Sequence, residues 1–157
     1  QDMGQQGNGP EFRTPPGIAV EKPVEASSYE MEHHPSFAVD GDTGRLNGFW
    51  AVAPQSLIID LEKENRLYGF QLYTYWGDGR YYQYTIETST NCKEWSMIVD
   101  MSKNTEIASA AGYLHKFKIA HPKGIPARYV RLNMLRNSAN PSVHVSEFKV
   151  FGPEIDF

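Results

Sequence analysis

The stretch Tyr73-Thr74-Tyr75-Trp76-Gly77-Asp78-Gly79-Arg80-Tyr81-Tyr82 gathers rings, a guanidinium and a carboxylate around a glycine-rich turn. Sugars present an apolar C–H face and a rim of hydroxyls. A site for them needs a flat ring to stack on and planar polar groups that reach two hydroxyls at once. This stretch holds both. A second polar run, Arg136-Asn137-Ser138-Ala139-Asn140, and the pair His33-His34 carry further groups of the same kind. Each also has a plain structural reading. Arg80 can pair with Asp78 across the turn, a contact worth little when exposed. Trp76 can equally cap the core, His33 and His34 can sit in a solvated loop, and His144 reads as a structural histidine in a strand.

A different chemistry is offered by Asp40, Asp42, Thr43 and Asn47, which place several oxygen donors in one short loop. Ca²⁺ takes hard oxygen ligands, many of them backbone carbonyls that glycine-containing loops expose. The run Asp40-Gly41-Asp42-Thr43-Gly44 also reads as a simple turn whose carboxylates cap nearby N–H groups. Signs of catalysis are weak. A glycoside hydrolase needs two carboxylates across a cleft, and Asp78 has no nearer partner in its rim than distant Glu32. Neither a Gly-x-Ser-x-Gly elbow nor a His-Glu-x-x-His pair occurs. Cys92 is the only cysteine, which rules out an internal disulfide and leaves secretion open.

These groups need elements to hold them. Aromatic residues make up 13% of the chain, which favours strands, because rings suit a pleated surface. Strands are predicted at 57–61, 67–75, 82–89, 95–100, 113–119, 128–135 and 144–151, with turns at Gly77-Asp78-Gly79 and Asn65-Arg66. In the sixth run Val130, Leu132 and Met134 share one face, and Tyr129, Arg131 and Asn133 share the other. Of Tyr82 and Tyr84, one is expected to be buried. No long helical stripe appears. The pattern predicts an all-β fold, an antiparallel sandwich or jelly roll of about eight strands. Residues 1–16, rich in Gly, Gln and Pro, read as a flexible leader or linker, 17–152 as one domain, and 153–157 as a tail. The net charge of −4, without a basic block, gives no electrostatic case for nucleic acid. No apolar run approaches the roughly 20 residues that cross a bilayer as a helix.

The order of signals resembles the discoidin family, also called the coagulation factor 5/8 type C domain, whose bacterial branch overlaps carbohydrate-binding module family 32. Four landmarks carry the likeness. They are Phe37-Ala38-Val39-Asp40-Gly41-Asp42 with Trp50, then Leu57-Ile58-Ile59-Asp60-Leu61, then the stretch from Tyr84-Thr85-Ile86 through Ser89 to Trp95. Last come the closing pair Ala127-Arg128-Tyr129-Val130-Arg131-Leu132 and Val145-Ser146-Glu147-Phe148-Lys149-Val150-Phe151-Gly152. The chain departs from the pattern in a longer segment between Asp42 and Trp50, in Asn91-Cys92 where Asp-Gly is usual, and in lacking a cysteine pair. The resemblance implies a structural Ca²⁺ held by the Phe37 backbone carbonyl, Asp40, Asp42, Thr43, Asn47 and Glu147. It puts Trp50 and Trp95 in the core. It further implies a glycan site of His34, Arg80, Arg136, Asn137 and Asn140, with Trp76 or Tyr81 as the stacking ring; Asp78 and Tyr82 of the aromatic turn are expected to belong to the same site. The expected protein is a non-catalytic, monomeric carbohydrate-binding module, secreted or at the cell surface and bacterial, cut from a larger polysaccharide-degrading protein. Its glycan is galactose-like or anionic. The alternatives are adhesion to protein or phospholipid, or a glycan-active enzyme on the same fold; the polar loop tips favour glycan.

Overall fold

The computed structural model describes residues 17–44, 46–107 and 115–153. Its strands are β1 (Val24–Glu25), β2 (Phe49–Val52), β3 (Gln55–Leu67), β4 (Gly69–Tyr73) and β5 (Tyr82–Ser89). They continue with β6 (Ser96–Met101), β7 (His115–Lys118), β8 (Ile125–Asn137), β9 (Ser142–Val145) and β10 (Glu147–Phe151). All pair antiparallel. One sheet runs β1-β3-β8-β5-β6, a second β10-β4-β7, and β2-β9 form a separate ribbon. Among the described residues no α-helix occurs and the one helical turn is a 3-10 segment, Pro35–Val39.

The two larger sheets face each other across one apolar core, as a sandwich must. Leu57, Ile59 and Leu61 of β3, Tyr84 and Ile86 of β5, and Val130, Leu132 and Met134 of β8 meet Phe70 and Leu72 of β4 and Phe148 and Val150 of β10. Phe70 and Phe148 stack at 5.9 Å. Alternation in β8 places its faces as the sequence predicts. On the outer face Asn133 donates to Thr85 Oγ1 and Glu87 Oε1 while Arg131 donates to Glu87. That face is a polar lattice satisfied from within.

Several expectations need correction. Asn65 and Arg66 are not a turn: they pair with Ala127 and Pro126 inside a β3 of 13 residues. A register shift between Asp60 and Asn65 absorbs the charged run Glu62-Lys63-Glu64 without ending the ladder. The run 144–151 is two strands, divided at Ser146, whose N–H donates to Tyr73 O as the chain passes between sheets. β1 and β2 carry too short a pattern to be read. Strand β7 begins at His115; the first two residues of the expected run 113–119 lie outside the described residues, as do 1–16 and 154–157. Both Tyr82 and Tyr84 are buried, not one, because they stand two apart in β5 and share the inner face. Neither Trp50 nor Trp95 is a core residue. Trp95 is half-buried on the outer face with the Arg131 guanidinium 4.1 Å from its ring centroid, and Trp50 is half-buried in the β2-β9 ribbon.

Candidate functional site

The ribbon sets Trp50 of β2 directly opposite His144 of β9. It can close because the preceding loop ends in Gly48, at φ +118 and so near β9 that an added Cβ would lie 2.2 Å from Val145 O. The Gly48 carbonyl accepts a hydrogen bond from His33 Nδ1 at 3.0 Å, which fixes the His33 ring. That ring lies flat on Trp50, centroids 3.7 Å apart and 3° from parallel. His144 meets Trp50 edge-on at 5.1 Å and lies 6.0 Å from Tyr75 and from Tyr82. A first connection, a short ribbon and the turn after β4 thus converge on one spot.

Arg80 completes it. Its guanidinium lies 4.5 Å from the Tyr75 ring centroid. Nε donates to Asp78 Oδ1 at 2.9 Å and Nη2 to Asp78 Oδ2 at 2.6 Å, a fork-to-fork pair. Nη1 reaches the Tyr82 hydroxyl at 3.5 Å, and that hydroxyl lies 2.6 Å from His144 Nδ1. Glu30 lies at the rim: its N–H donates to Trp50 O, and its Oε2 accepts from Ser142 Oγ at 2.8 Å. The electrostatics follow. Burial, then the positive charge of Arg80, pushes the His144 ring down to about 4, so it is neutral at pH 7. The bonds from Arg80 hold Asp78 below the usual carboxylate range. Burial pushes the Tyr82 hydroxyl up to about 12. The indole N–H of Trp50 is buried and has no hydrogen-bond partner.

The residues named from sequence divide. Asp78 and Arg80 are in the constellation. Tyr82 is wholly buried beneath it, so it supports the site and presents no face to a ligand. β8 runs on to Asn137, so Arg136 and Asn137 stand in a strand and not in a loop, and the 74–81 segment meets the turn that follows through Ser138 N–H to Tyr81 O and Tyr81 N–H to Ser138 Oγ, both 2.9 Å. Yet Tyr81 alternates away from Tyr82, and its hydroxyl accepts from exposed Arg136 at 3.0 Å. Asn137 is buried, donating to Asn140 Oδ1 and accepting from Ala139 N–H. Asn140 also accepts from Ser142 N–H, so this asparagine pair shapes the turn into β9. His34 caps the 3-10 turn, its Nδ1 accepting from Ser36 N–H at 3.0 Å. Trp76 is half-buried in the turn before Asp78. Trp50, Tyr75, His144 and Glu30 were not read as site residues. Trp50 and His144 are neighbours only through the β2-β9 pairing, and β2 had no legible pattern.

The acidic loop lies beside the site, joined to it by Gly48. Asp40 accepts from Asp42 N–H and from Asn47 Nδ2, and Asp42 from Gly44 N–H. Phe37 stands in the 3-10 turn that ends at Asp40, and Thr43 is half-buried in the loop. Glu147 is fully buried; its Oε2 accepts from Gly41 N–H at 2.9 Å, while Oε1 is buried without a partner. Burial, with Asp40 adding to it, pushes the Glu147 carboxyl up to about 9. A buried carboxylate with an orphaned oxygen beside a second carboxylate fits a cation. No cluster of three His, Cys, Asp or Glu side chains suited to a metal occurs among the described residues. The remaining donors would be carbonyl, hydroxyl and amide oxygens, the set a hard cation takes.

Solved structures of low identity share the fold. A pectin-binding carbohydrate-binding module is 18% identical with a TM-score of 0.67, over 85% of this chain and 93% of that one. Chitosan-binding module 1 of a chitosanase/glucanase from Paenibacillus sp. IK-5 is 21% identical with a TM-score of 0.67, over 87% and 98%. A family 89 glycoside hydrolase from Clostridium perfringens is 20% identical with a TM-score of 0.71, over 86% of this chain but 14% of that one. No curated protein matches. The family model described as F5/8 type C domain matches residues 23–148, and with the sandwich already in view the chain belongs to that family, the discoidin fold.

Proposed function

We propose that the chain is a non-catalytic carbohydrate-binding module that takes an uncharged sugar of a poly- or oligosaccharide at the His33–Trp50–Tyr75–Arg80–His144 constellation. The observation that carries this reading is the meeting of stacked rings with a guanidinium and a neutral imidazole in one place. Rings serve the C–H face of a sugar, and the two nitrogen donors serve its oxygens. Asp78 neutralises Arg80, and Glu30 adds a negative charge at the rim, so a uronate carboxylate meets repulsion where a hydroxyl does not. The same pair speaks against glycoside hydrolysis: Asp78 has both oxygens on Arg80 and is held ionised, which unfits it as a general acid. The structural neighbours support the carbohydrate part of this reading and not the neutral charge of the sugar, since modules named for pectin and for chitosan share this fold and one match is a part of a larger glycoside hydrolase. A secreted bacterial setting, a monomeric state and a Ca²⁺ pinning the acidic loop belong to the same reading.

The test is a glycan array probed with the purified domain in calcium buffer, with neutral polysaccharides beside pectate and alginate. Binding to a related neutral set supports the proposal. A blank from folded protein, or binding confined to the uronates, overturns it. A second reading, docking on a lipid or protein surface, is favoured by one observation: Tyr29, Met31 and Leu46 are 49%, 84% and 66% exposed on loops that flank the site. Co-sedimentation with vesicles, lost on Met31→Ser, would favour it.

A further inference from the structure

We propose that Tyr82 is a positioning residue that locks His144 in one tautomer, Nδ1 bare and Nε2 protonated, so that the pocket offers a sugar a hydrogen-bond donor at that wall. The inference rests on the sugar-binding reading for what the donor is for, but the lock itself does not depend on it.

A tyrosine hydroxyl has one hydrogen to give and two lone pairs to fill. Tyr82 is fully buried, so solvent takes no part. Arg80 Nη1 can only donate, and it points at the hydroxyl oxygen from 3.5 Å. Its other hydrogen-bond partner among the described residues is His144 Nδ1, at 2.6 Å. If Nδ1 carried the proton, Arg80 and His144 would both donate to Tyr82, and the phenolic hydrogen would be buried with no acceptor. Buried donors are left unmade only at a cost, so the hydroxyl donates and Nδ1 accepts. The ring is neutral at pH 7, held so by burial and by Arg80, and its one hydrogen is therefore on Nε2. Nε2 makes no hydrogen bond to a described residue, which leaves its hydrogen for a ligand.

Asp78 belongs to the same chain of bonds. It fixes the guanidinium through Nε and Nη2, which leaves Nη1 for Tyr82. The order Asp78–Arg80–Tyr82–His144 carries orientation from an exposed carboxylate to a buried ring over four side chains. A ligand atom at Nε2 must accept: a sugar hydroxyl or ring oxygen does, and an ammonium does not. The residues of the relay come from the turn after β4, from β5 and from β9, so no local motif announces it.

The test uses ¹⁵N-labelled protein in calcium buffer at pH 7, with the His144 ring assigned by its loss in His144→Gln. Long-range ¹H–¹⁵N correlation distinguishes the tautomers. The expected spectrum has an unprotonated Nδ1 and a protonated Nε2 for His144. Tyr82→Phe, which keeps the ring and removes the hydroxyl, is expected to convert His144 to a tautomer mixture while the signals of His33 stay in place. A wild-type His144 protonated on Nδ1 overturns the proposal, as does an unchanged tautomer in Tyr82→Phe. If that variant does not fold, the wild-type spectrum decides alone. A blank glycan array together with the expected spectrum refutes sugar binding and leaves the lock standing; the reverse pattern refutes the lock alone.

Discussion

Arg80 in the turn before β5 and Arg136 near the end of β8 look alike in sequence, yet their surroundings differ. Arg80 is held over Tyr75 by Asp78, whereas exposed Arg136 extends over half-buried Tyr81. Arg80→Ala should weaken glycan binding at least tenfold, the loss of one good charge-assisted contact of about 1.5–3 kcal/mol. Arg136→Ala should change it less than about threefold, under 1 kcal/mol, as for an exposed contact. Titration calorimetry on the best array glycan reads both, and equal losses would move the site toward the Tyr81 side. His144 makes a pH prediction. Its folded value is near 4 against 6.5 in the unfolded chain, with Arg80, His33, Glu30 and Asp78 as the charges that act on it. Between these values the unfolded chain binds a proton that the folded chain refuses. Stability is full above pH 6.5 and falls as the pH drops toward 4, by about 3 kcal/mol at most. Urea denaturation across that range should show the decline, and His144→Gln should remove this part of it.

At the scale of elements, the ribbon β2-β9 depends on one residue without a side chain. Gly48→Ala would add a Cβ within 2.2 Å of Val145 O at a φ of +118. A cost of about 1–3 kcal/mol is expected from backbone strain alone, and glycan binding should fall with the melting temperature. A stable variant that still binds would show that the ribbon can shift without disturbing Trp50 and His144. The contrast between what the sequence shows and what it hides lies at this scale. Alternation made β8 legible because one of its faces is apolar and the other polar. The same rule fails for β4 and β10, which are buried along their whole length, so that Gln71, Glu147 and Lys149 sit inside. The turn of Gly77 to Arg80 was legible as a site through residue type alone. Trp50 and His144 were not, since a tryptophan in a strand and a histidine in a strand each have an ordinary structural role until the register sets them face to face.

For the molecule as a whole, the acidic loop is the brace on which the site leans, since Asp40 and Glu147 close one end and Gly48 with His33 the other. Chelation with EDTA should therefore lower the melting temperature by about 5 °C or more. A cation present at about 100 times its dissociation constant adds about 2.7 kcal/mol to the stability of the folded state. Calorimetric scans with and without added Ca²⁺ check this, and superimposed melts would refute a bound cation. If the module works as one of several on a longer chain, weak single-site binding would suffice, because linkage turns the second contact into an intramolecular one.

The pairing of Trp50 with His144 also has a consequence for how the protein is made. The two partners are far apart in the chain, and so are the partners in the β3-β8 and β4-β10 pairs, although β5 and β6 are near neighbours. A chain leaving the ribosome exposes Trp50 and His33 early, with nothing yet to stand opposite them. Most of the translation time of the domain passes before His144 emerges. On the sugar-binding reading, a nascent chain is therefore without its site until the core has nearly closed, and an incomplete product does not compete with a finished one for the glycan.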